Sequence, residues 1–422
     1  MENHRQSNKS AIRKQLAPTA MLFLIFGIDL FASFPKAPVA IVKSIVMAFI
    51  LLITARMLFT RKLYPSIRPT APFILLFVYL TCLFFRLVND FIFEGHNLFM
   101  YSNNSTLIIM YIVLIVCPVI CFATKKFNID VGLFTVTLQI LCVCVLSISV
   151  MHILQGRIEI SKDGRYSGEG VLDIIYLGQQ GVSLILLSVY NLRKKQLLVL
   201  NIASILISVA AIGLSASRSS IMAIAFCLVI YFLIYSSSSI RKIGMIMTIF
   251  ILLLSYKSII LWLNDTFQSY GITTFSRVVD YVVGNSYADL GRYRIFDKGW
   301  TLAMDNPFTG YGYLLPDGSY VHNIFIEQFM ALGFVGGLAF AFIIAYALIK
   351  GYNFVYKNKH FSIIYILYIQ DIILGSVSRT IIALPQLWIT LYAILHLINS
   401  KYRYNGTPIQ RIGVDYYPDI QK

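Results

Sequence analysis

The segment 321–350 reads VHNIFIEQFMALGFVGGLAFAFIIAYALIK, and it decides the fold class. Between Ile324 and Ile349 it contains a single charged residue, Glu327. About 20 mostly apolar residues are enough for a helix to cross a bilayer. The segment therefore predicts a transmembrane helix that follows directly on a polar loop.

Similar apolar runs recur along the whole chain of 422 residues, which is 58% hydrophobic and only 13% charged. So little charge cannot cover the surface of a soluble protein of this length. We therefore predict an all-α polytopic membrane protein with about twelve helices, in which 1–422 form a single integral membrane domain. The predicted spans are 17–34, 38–58, 71–88, 105–124, 132–154, 173–191, 196–214, 218–235, 243–263, 322–349, 361–379 and 381–399.

The basic residues alternate between the loops of this scheme. Every second segment is basic, as in Arg193-Lys194-Lys195 and in the set Lys350, Lys357 and Lys359. The positive-inside rule then places both termini in the cytoplasm. The net charge of +16 reflects these short loops, so no nucleic-acid partner is expected. The first apolar run lacks a small-residue cleavage site and is interpreted as a retained helix and not a removed signal peptide.

Two segments on the opposite, outer side are rich in polar residues. They are the smaller loop 155–172 and the large loop 264–321, which is the longest in the chain. Loops of that length in a compact protein tend to be functional.

Part of the large loop, 288–305 (ADLGRYRIFDKGWTLAMD), has the periodicity of an amphipathic helix. Arg292 shares a face with Phe296 and Gly299, whereas Arg294 lies on the opposite, polar face. An arginine on an apolar face needs an anionic partner. That partner is either a ligand or a loop carboxylate such as Asp289, unless the side chain snorkels to water.

Charges near the outer ends of the spans are further candidates, because charge at bilayer depth is costly. Arg218 opens the eighth span, Arg379 lies between the last two, and His322 opens the tenth. Helix N-termini that face outward carry a positive dipole end and suit an anion such as a pyrophosphate. The dipole also disfavours protonated His322, which keeps it available as a base. The alternative role for His322 is that of a capping or interfacial residue.

Other polar groups are weaker candidates. His322, Phe329, Gly333 and Gly336 lie near one stripe of the predicted tenth span, and the small residues there suggest close helix contact. Glu327 and Gln328 suggest hydrogen bonds between helices. Asp29 in the first span is a rival acid or base, without an evident partner. The cysteines lie in apolar runs, and neither they nor the other histidines have metal-ligand spacing. We expect no metal and no cofactor, and without a P-loop no ATP-driven step.

Several of these residues together resemble the motifs of the O-antigen polymerase and ligase superfamily. The matching elements are Gly291-Arg292, then Asp305-Asn306-Pro307 with Gly310-Tyr311-Gly312, then His322-Asn323 followed by Gly333 and Gly336, and earlier LSASRSSI around Arg218. The resemblance is specific over about 210–340. Twelve spans with a large periplasmic loop between the ninth and tenth are also typical of that superfamily.

The resemblance implies an inverting, metal-independent glycosyltransferase of the bacterial inner membrane, with its active site facing the periplasm and a role in lipopolysaccharide biosynthesis. Its donor and acceptor would be glycans on undecaprenyl pyrophosphate, with a chain-length regulator and a flippase as further partners. Arg218 and Arg292 would hold the pyrophosphate, with Arg165 of the smaller loop as a third basic residue. His322 would take the proton from the acceptor hydroxyl or orient it, supported by Asn323, Gly310, Gly312 and Glu327.

Two enzymes share these motifs. A polymerase joins repeat units on the lipid carrier, and a ligase transfers finished polymer to lipid A–core. The stretch YVHNIFIEQFMALGFVGG at 320–337 looks more like the polymerase branch. A lipid-linked glycan flippase or transporter is the alternative from another class. Such proteins usually show repeat symmetry, discontinuous helices and polar residues at the midplane. In this sequence the polar residues gather at one face, and the two halves do not obviously match.

Overall fold

The fold is given by a computed structural model. It describes residues 2–33, 38–59, 70–93, 104–123, 129–155, 159–160, 166–167, 174–215, 217–236 and 287–399, with isolated positions and runs of two or three residues between 244 and 269. Arg165 and most of the predicted ninth span lie outside the described residues.

The chain is a succession of helices, with a few local departures from α-helical geometry. Among the residues that the structure describes, two π-helical turns are present, Asn89–Phe93 after α3 and Ile112–Val116 between α4 and α5. The helices of the first half are α1 (Glu2–Ala32), α2 (Val39–Phe59), α3 (Ala71–Val88), α4 (Asn104–Tyr111), α5 (Cys117–Phe122), α6 (Val131–Leu154) and α7 (Ile174–Arg193). Those of the second half are α8 (Leu198–Ser215), α9 (Arg218–Tyr235), α10 (Tyr287–Asp305), α11 (Ile324–Lys357), α12 (Ser362–Ser378) and α13 (Pro385–Asn399).

The helices lie close to the predicted spans, because the same apolar runs and local signals define both. The side chain of Asp130 caps α6 by accepting a hydrogen bond from Leu133 N at 3.0 Å. Within the described residues, six helices are long and apolar enough to cross a membrane, and three shorter helices are also apolar. Twelve crossings and the orientation of the chain remain predictions.

The burial pattern is that of a bundle surrounded by lipid. Helices α12 and α13 bury most of their side chains, and the indole of Trp388 is fully enclosed. Large apolar side chains on other helices point outward, such as Phe85 and Val199, which are 65% and 81% exposed. Outward apolar surfaces of this extent are stable in a membrane and not in water. The chain is a multi-pass membrane protein.

One feature departs from the all-helical prediction. Within the smaller loop, strands β1 (Glu159–Ile160) and β2 (Tyr166–Ser167) form a short antiparallel pair. The sequence shows no alternating pattern there, because two-residue strands are too short for alternation to be visible.

Helix α10 matches the amphipathic helix predicted for 288–305. Gly299 and Ala303 are buried against the loop and α11, and a β-carbon on Gly299 would lie 2.8 Å from the side chain of Val321. The polar face is exposed as predicted, and its described members are Arg294, Asp297, Lys298, Thr301 and Asp305.

Helix α11 corrects two predictions. It begins at Ile324 with Asn323 as its N-cap, so His322 precedes the helix and does not open it. It is also interrupted at Gly333, which has φ +67° and ψ −170°. His322, Phe329, Gly333 and Gly336 therefore do not form one helical stripe, and Gly333 contacts a loop instead of another helix.

Candidate functional site

His322 lies at the end of the bundle where α7, α9, α11 and α13 begin and α8 and α12 end; we name this the His322 end. Its main chain has φ +60°, in the left-handed region that few residues other than glycine adopt. Its ring is half-buried, and its centroid lies 4.0 Å from that of Tyr320. A strained conformation of this kind persists only when the surrounding structure holds it.

Asn323 provides much of that hold. Its Oδ1 accepts hydrogen bonds from Phe325 N at 3.0 Å and Ile326 N at 3.1 Å. Its Nδ2 donates to Ser376 O at 2.9 Å, in the last turn of α12. Asn323 thus fixes the start of α11 to the end of α12, immediately beside His322, which is consistent with a supporting role.

The turn 307–312 fills the interruption of α11. Met330 O accepts hydrogen bonds from Tyr311 N at 2.8 Å and Gly312 N at 3.3 Å, and Phe334 N donates to Pro307 O at 2.7 Å. These bonds satisfy main-chain groups that the break at Gly333 would otherwise leave unpaired.

Gly310 and Gly333 make this close contact possible. A β-carbon on Gly310 would lie 2.4 Å from Ala331 O, and one on Gly333 would lie 2.6 Å from Pro307 O. Both residues also have positive φ. Their requirement for glycine is therefore both steric and conformational.

Arg86 and Asp90 hold the other side of this turn, and the sequence analysis missed both. Asp90 is fully buried; its Oδ1 lies 2.9 Å from Arg86 Nε, and its Oδ2 accepts from Tyr313 N at 2.6 Å. Arg86 Nη2 donates to Tyr311 O. The pair thus forms hydrogen bonds with the main-chain carbonyl of Tyr311, before Gly312, and with the main-chain N–H of Tyr313, after it. The sequence feature that could have identified this pair is an Arg and an Asp four residues apart at the end of a predicted span.

Glu327 belongs to a buried hydrogen-bond network beneath the turn. Its Oε1 accepts from Thr380 Oγ1 at 2.7 Å, and both carboxylate oxygens lie 3.3 Å from Ile381 N. Thr380 Oγ1 is in turn 2.8 Å from Tyr313 OH. The hydrogen-bonding interpretation of Glu327 is confirmed, although its partners lie in the connection between α12 and α13. Gln328 likewise accepts from Tyr79 OH of α3.

The first turn of α9, which contains Arg218, is packed at the His322 end. A β-carbon on Gly178 of α7 would lie 2.4 Å from Ser215 Oγ and 2.7 Å from Ser220 Oγ. The next residue, Gln179, is within 3.5 Å of Ser378 Oγ in α12. Because α12 also receives the hydrogen bond from Asn323, these contacts connect the starts of α9 and α11. The side chain of Arg218 is outside what the structure describes.

Arg292 occupies a position on the buried face of α10, one turn before Phe296. The side chain of Arg292 is not among those described. The prediction that Arg292, and not Arg294, binds the ligand therefore rests on its position on the helix. Arg294 is exposed, as predicted. The roles of Arg165, Arg218 and Arg292 in binding pyrophosphate remain predictions.

Two other charged groups have structural partners. Asp29 was expected to lack a partner, which is wrong: Lys43 Nζ lies 2.9 Å from its Oδ1, and the lysine was overlooked because it belongs to the next helix. Arg379 stacks 4.6 Å from the ring centroid of Tyr176 and donates to Ala383 O at 3.3 Å.

Fold and site together define a multi-pass helical membrane protein in which one end of the bundle holds a histidine with a strained main chain and, separately, buried polar and charged groups. Residues 203–341, from α8 into α11, match the family model described as O-antigen ligase. This match confirms the resemblance to the O-antigen ligase and polymerase superfamily and supports a function of that type in lipopolysaccharide biosynthesis. It does not distinguish a polymerase from a ligase. No curated protein matches the chain.

Proposed function

We propose that this chain is an O-antigen polymerase of the bacterial inner membrane. It would join oligosaccharide repeat units carried on undecaprenyl pyrophosphate at the periplasmic face, by inverting glycosyl transfer without a metal or other cofactor. The observation that carries the proposal is the placement of His322, which is held in a left-handed conformation at the bundle end where α9 begins with Arg218.

In the proposed reaction, the acceptor hydroxyl attacks the anomeric carbon of the donor glycan from the face opposite the pyrophosphate. The new glycosidic C–O bond forms as the bond to the pyrophosphate oxygen breaks, and undecaprenyl pyrophosphate leaves with the electron pair. His322 accepts the proton of the hydroxyl or orients that hydroxyl. Arg218 and Arg292, with Arg165, stabilise the charge on the leaving pyrophosphate.

The leaving group explains why the proposed reaction needs no ATP. A lipid pyrophosphate is already activated, so the protein has to supply position, charge stabilisation and a route for one proton. The apolar helix surfaces beside the His322 end suit the polyprenyl tail, and the arginines suit its anionic head.

The second candidate is an O-antigen ligase, which transfers finished polymer to lipid A–core. The specific observation in its favour is the match to a family model that carries this description. The same site would serve, because both reactions break the same bond to pyrophosphate and differ in the acceptor.

A flippase is the alternative from another class, and the interruption of α11 is a feature that transporters often share. Here, however, the turn 307–312 fills the break with hydrogen bonds, so the interrupted main chain does not line a passage. This packing favours an enzyme.

Deleting the gene in a strain with complete O-antigen tests the proposal. Loss of a polymerase leaves lipid A–core with a single repeat unit, whereas loss of a ligase leaves bare core. Purified protein incubated with lipid-linked repeat units should also release undecaprenyl pyrophosphate and form longer glycans. Unchanged repeat units in that assay, together with a bare core in the deletion strain, would overturn the polymerase assignment.

A further inference from the structure

Helix α10 has a third face, which lies between its buried face and its polar face. At about 100° per residue, Tyr293, Trp300 and Met304 fall within about 40° of one another on this face. Phe308 follows in the turn after the helix. All four side chains are exposed, that of Tyr293 by 71% and that of Phe308 by 84%. We name these four residues the α10 stripe. Large apolar side chains exposed together indicate an apolar partner.

The α10 stripe lies beside the break in α11. The ring centroid of Trp300 is 5.5 Å from that of Phe329 and 6.1 Å from that of Phe334. The main chain of Phe308 lies against the break itself, where a β-carbon on Gly333 would be 2.8 Å from Phe308 O. The stripe is therefore attached at a defined position along a helix that is long and apolar enough to cross the membrane.

The lipid-facing surface of α11 begins at the same position. Directly after Phe334, which contacts Trp300, exposed apolar side chains recur at the spacing of one helical face. They are Val335, Leu338, Phe342 and Ile349. In a multi-pass protein such a face is covered by lipid. The α10 stripe thus adjoins a surface that lies in the bilayer.

The length of α11 places the break at a membrane boundary. Tyr352 and Tyr356 stack near the other end of the helix, among basic residues, which is typical of a membrane interface. Gly333 lies 19 residues before Tyr352, or about 28 Å at 1.5 Å per residue. A hydrocarbon core is about 30 Å thick. With Tyr352 at one boundary, Trp300 and Phe308 therefore lie at the other.

The composition of α10 suits this boundary. Tryptophan and tyrosine are enriched where acyl chains meet head groups. Arg294 and Lys298 of the exposed polar face are long enough to reach lipid phosphates while the stripe contacts acyl chains. A soluble protein partner would need the stripe to stand clear of the bilayer, which its depth relative to α11 contradicts.

We propose that the α10 stripe anchors α10 in the lipid leaflet at the His322 end, with the acyl chains and glycerol region of phospholipids as its partner. The proposal goes beyond the function proposed above and does not depend on it. One consequence does rest on that function: the anchor holds position 292 at the level of the lipid phosphates, where the pyrophosphate of a lipid-linked substrate also lies.

Spin labels on single cysteines test the anchor in a full-length variant without the native cysteines, reconstituted in vesicles of phosphatidylethanolamine and phosphatidylglycerol. A label at Met304→Cys should collide more with oxygen, which concentrates among acyl chains, than with a water-soluble nickel chelate. Phe342→Cys, on the lipid-facing side of α11, should behave in the same way. Thr301→Cys, on the polar face of α10, should show the opposite preference.

Two results of this experiment overturn the anchor. A label at Met304→Cys that meets the chelate as readily as the label at Thr301→Cys shows that the stripe faces water. A label that neither reagent reaches shows that another part of the chain covers the stripe.

Quenching of Trp300 fluorescence by brominated acyl chains is a second measurement, and it keeps the native cysteines. The difference in emission between the wild-type protein and Trp300→Phe isolates Trp300, because Trp262 and Trp388 are common to both. This difference should fall about two-fold or more in brominated phosphatidylcholine relative to ordinary phosphatidylcholine. An unchanged difference overturns the anchor. Neither measurement uses glycosyl transfer, so failure of the anchor is distinguishable from failure of the proposed function.

Discussion

At the scale of single residues, His322 combines strain with a defined environment. A left-handed conformation costs a non-glycine residue roughly 1–3 kcal/mol, and here it is enforced by the cap at Asn323 on one side and the packed loop on the other. Backbone strain of this kind is typical of positions where it places a functional side chain. The contribution of the His322 ring to activity and the effect of its strained main chain on stability can be measured separately.

We predict that His322→Ala lowers polymer growth by roughly 10²–10⁴-fold, the range typical of general bases, while the protein is still inserted in the membrane. The length distribution of lipopolysaccharide in a complemented deletion strain, with protein level as control, is the measurement. Full-length polymer made by this variant would remove His322 from the site.

We also predict that His322→Gly is more stable than His322→Ala by about 1 kcal/mol, because glycine adopts positive φ without strain. Both variants should be equally inactive. Thermal unfolding of the two purified variants gives the comparison, and a lower Tm for the glycine variant would contradict the strain.

The two arginines of α10 make a matched pair. Arg292→Ala should abolish polymer growth, because position 292 lies on the face of α10 that packs toward α11, whereas Arg294→Ala should leave it nearly unchanged, since Arg294 faces solvent. The same lipopolysaccharide assay distinguishes them. Equal loss in both variants would indicate a general effect of positive charge on the loop and would refute the assignment to one face.

At the scale of elements, the turn 307–312 and the interrupted helix α11 form one unit, and Arg86 with Asp90 holds it from α3. The turn forms hydrogen bonds with main-chain groups of α11 at the break, and the Arg86–Asp90 pair forms hydrogen bonds with main-chain groups of 311–313. Loss of any one of them therefore leaves buried polar groups unpaired in a largely apolar surrounding, which is costly.

Gly333→Ala should destabilise the protein by about 1–3 kcal/mol, because its φ is positive and a β-carbon would contact Pro307 O. Gly132→Ala is the control, since a β-carbon there meets its nearest atom at 3.4 Å within a regular helix. Thermal unfolding should show a large fall in Tm for the first variant and little change for the second. Similar values for both would mean that the break in α11 is not required.

The Arg86–Asp90 pair should show strong coupling. Asp90→Asn leaves Arg86 without its counter-charge, and breaking a buried pair costs about 3–5 kcal/mol. The double variant Arg86→Gln with Asp90→Asn keeps one donor and one acceptor for the turn, so it should cost less than the two single changes added together. A double-mutant cycle on unfolding free energy measures the coupling. Simple additivity would show that the two side chains act independently.

Element positions were largely predictable from the sequence, and the contacts between elements were not. Apolar runs located the helices, and a period of 3.6 residues separated the two faces of α10. The break in α11 was not predicted, because apolar residues continue on both sides of Gly333 and the turn that satisfies its main-chain groups precedes it by more than twenty residues. Arg86 was missed although Asp90 lies only four residues away, because its other partner, Tyr311, becomes a neighbour only in the folded protein.

At the scale of the whole molecule, the His322 site and a second group of basic residues lie at opposite ends of the bundle. His322, Arg379 and the cap at Asn323 lie at one end. Lys194 and His360 lie at the other, 3.2 Å apart between Nζ and Nδ1. This division agrees with the charge alternation of the loops, which predicts that the His322 end faces the periplasm.

Cysteine labelling tests that orientation. In a variant without the native cysteines, Asp317→Cys should react with a membrane-impermeant maleimide in spheroplasts, because the residue is exposed at the His322 end. Lys357→Cys, exposed at the end of α11, should react only after the membrane is permeabilised. Labelling of Lys357→Cys in intact spheroplasts would reverse the predicted orientation.

The docking of the turn 307–312 onto the break at Gly333 also restricts how the length of this chain can change in evolution. The turn and the break belong to one continuous segment. The turn at its start and the break at its end are joined by main-chain hydrogen bonds and by close contacts at Gly310 and Gly333, so neither can shift relative to the other. An inserted or deleted residue within α11 before Gly333 would rotate Met330 O away from its donors. Pro316 and Asp317 are exposed at the tip of this segment, so length variation among homologues should accumulate at the tip and be rare on either side of it.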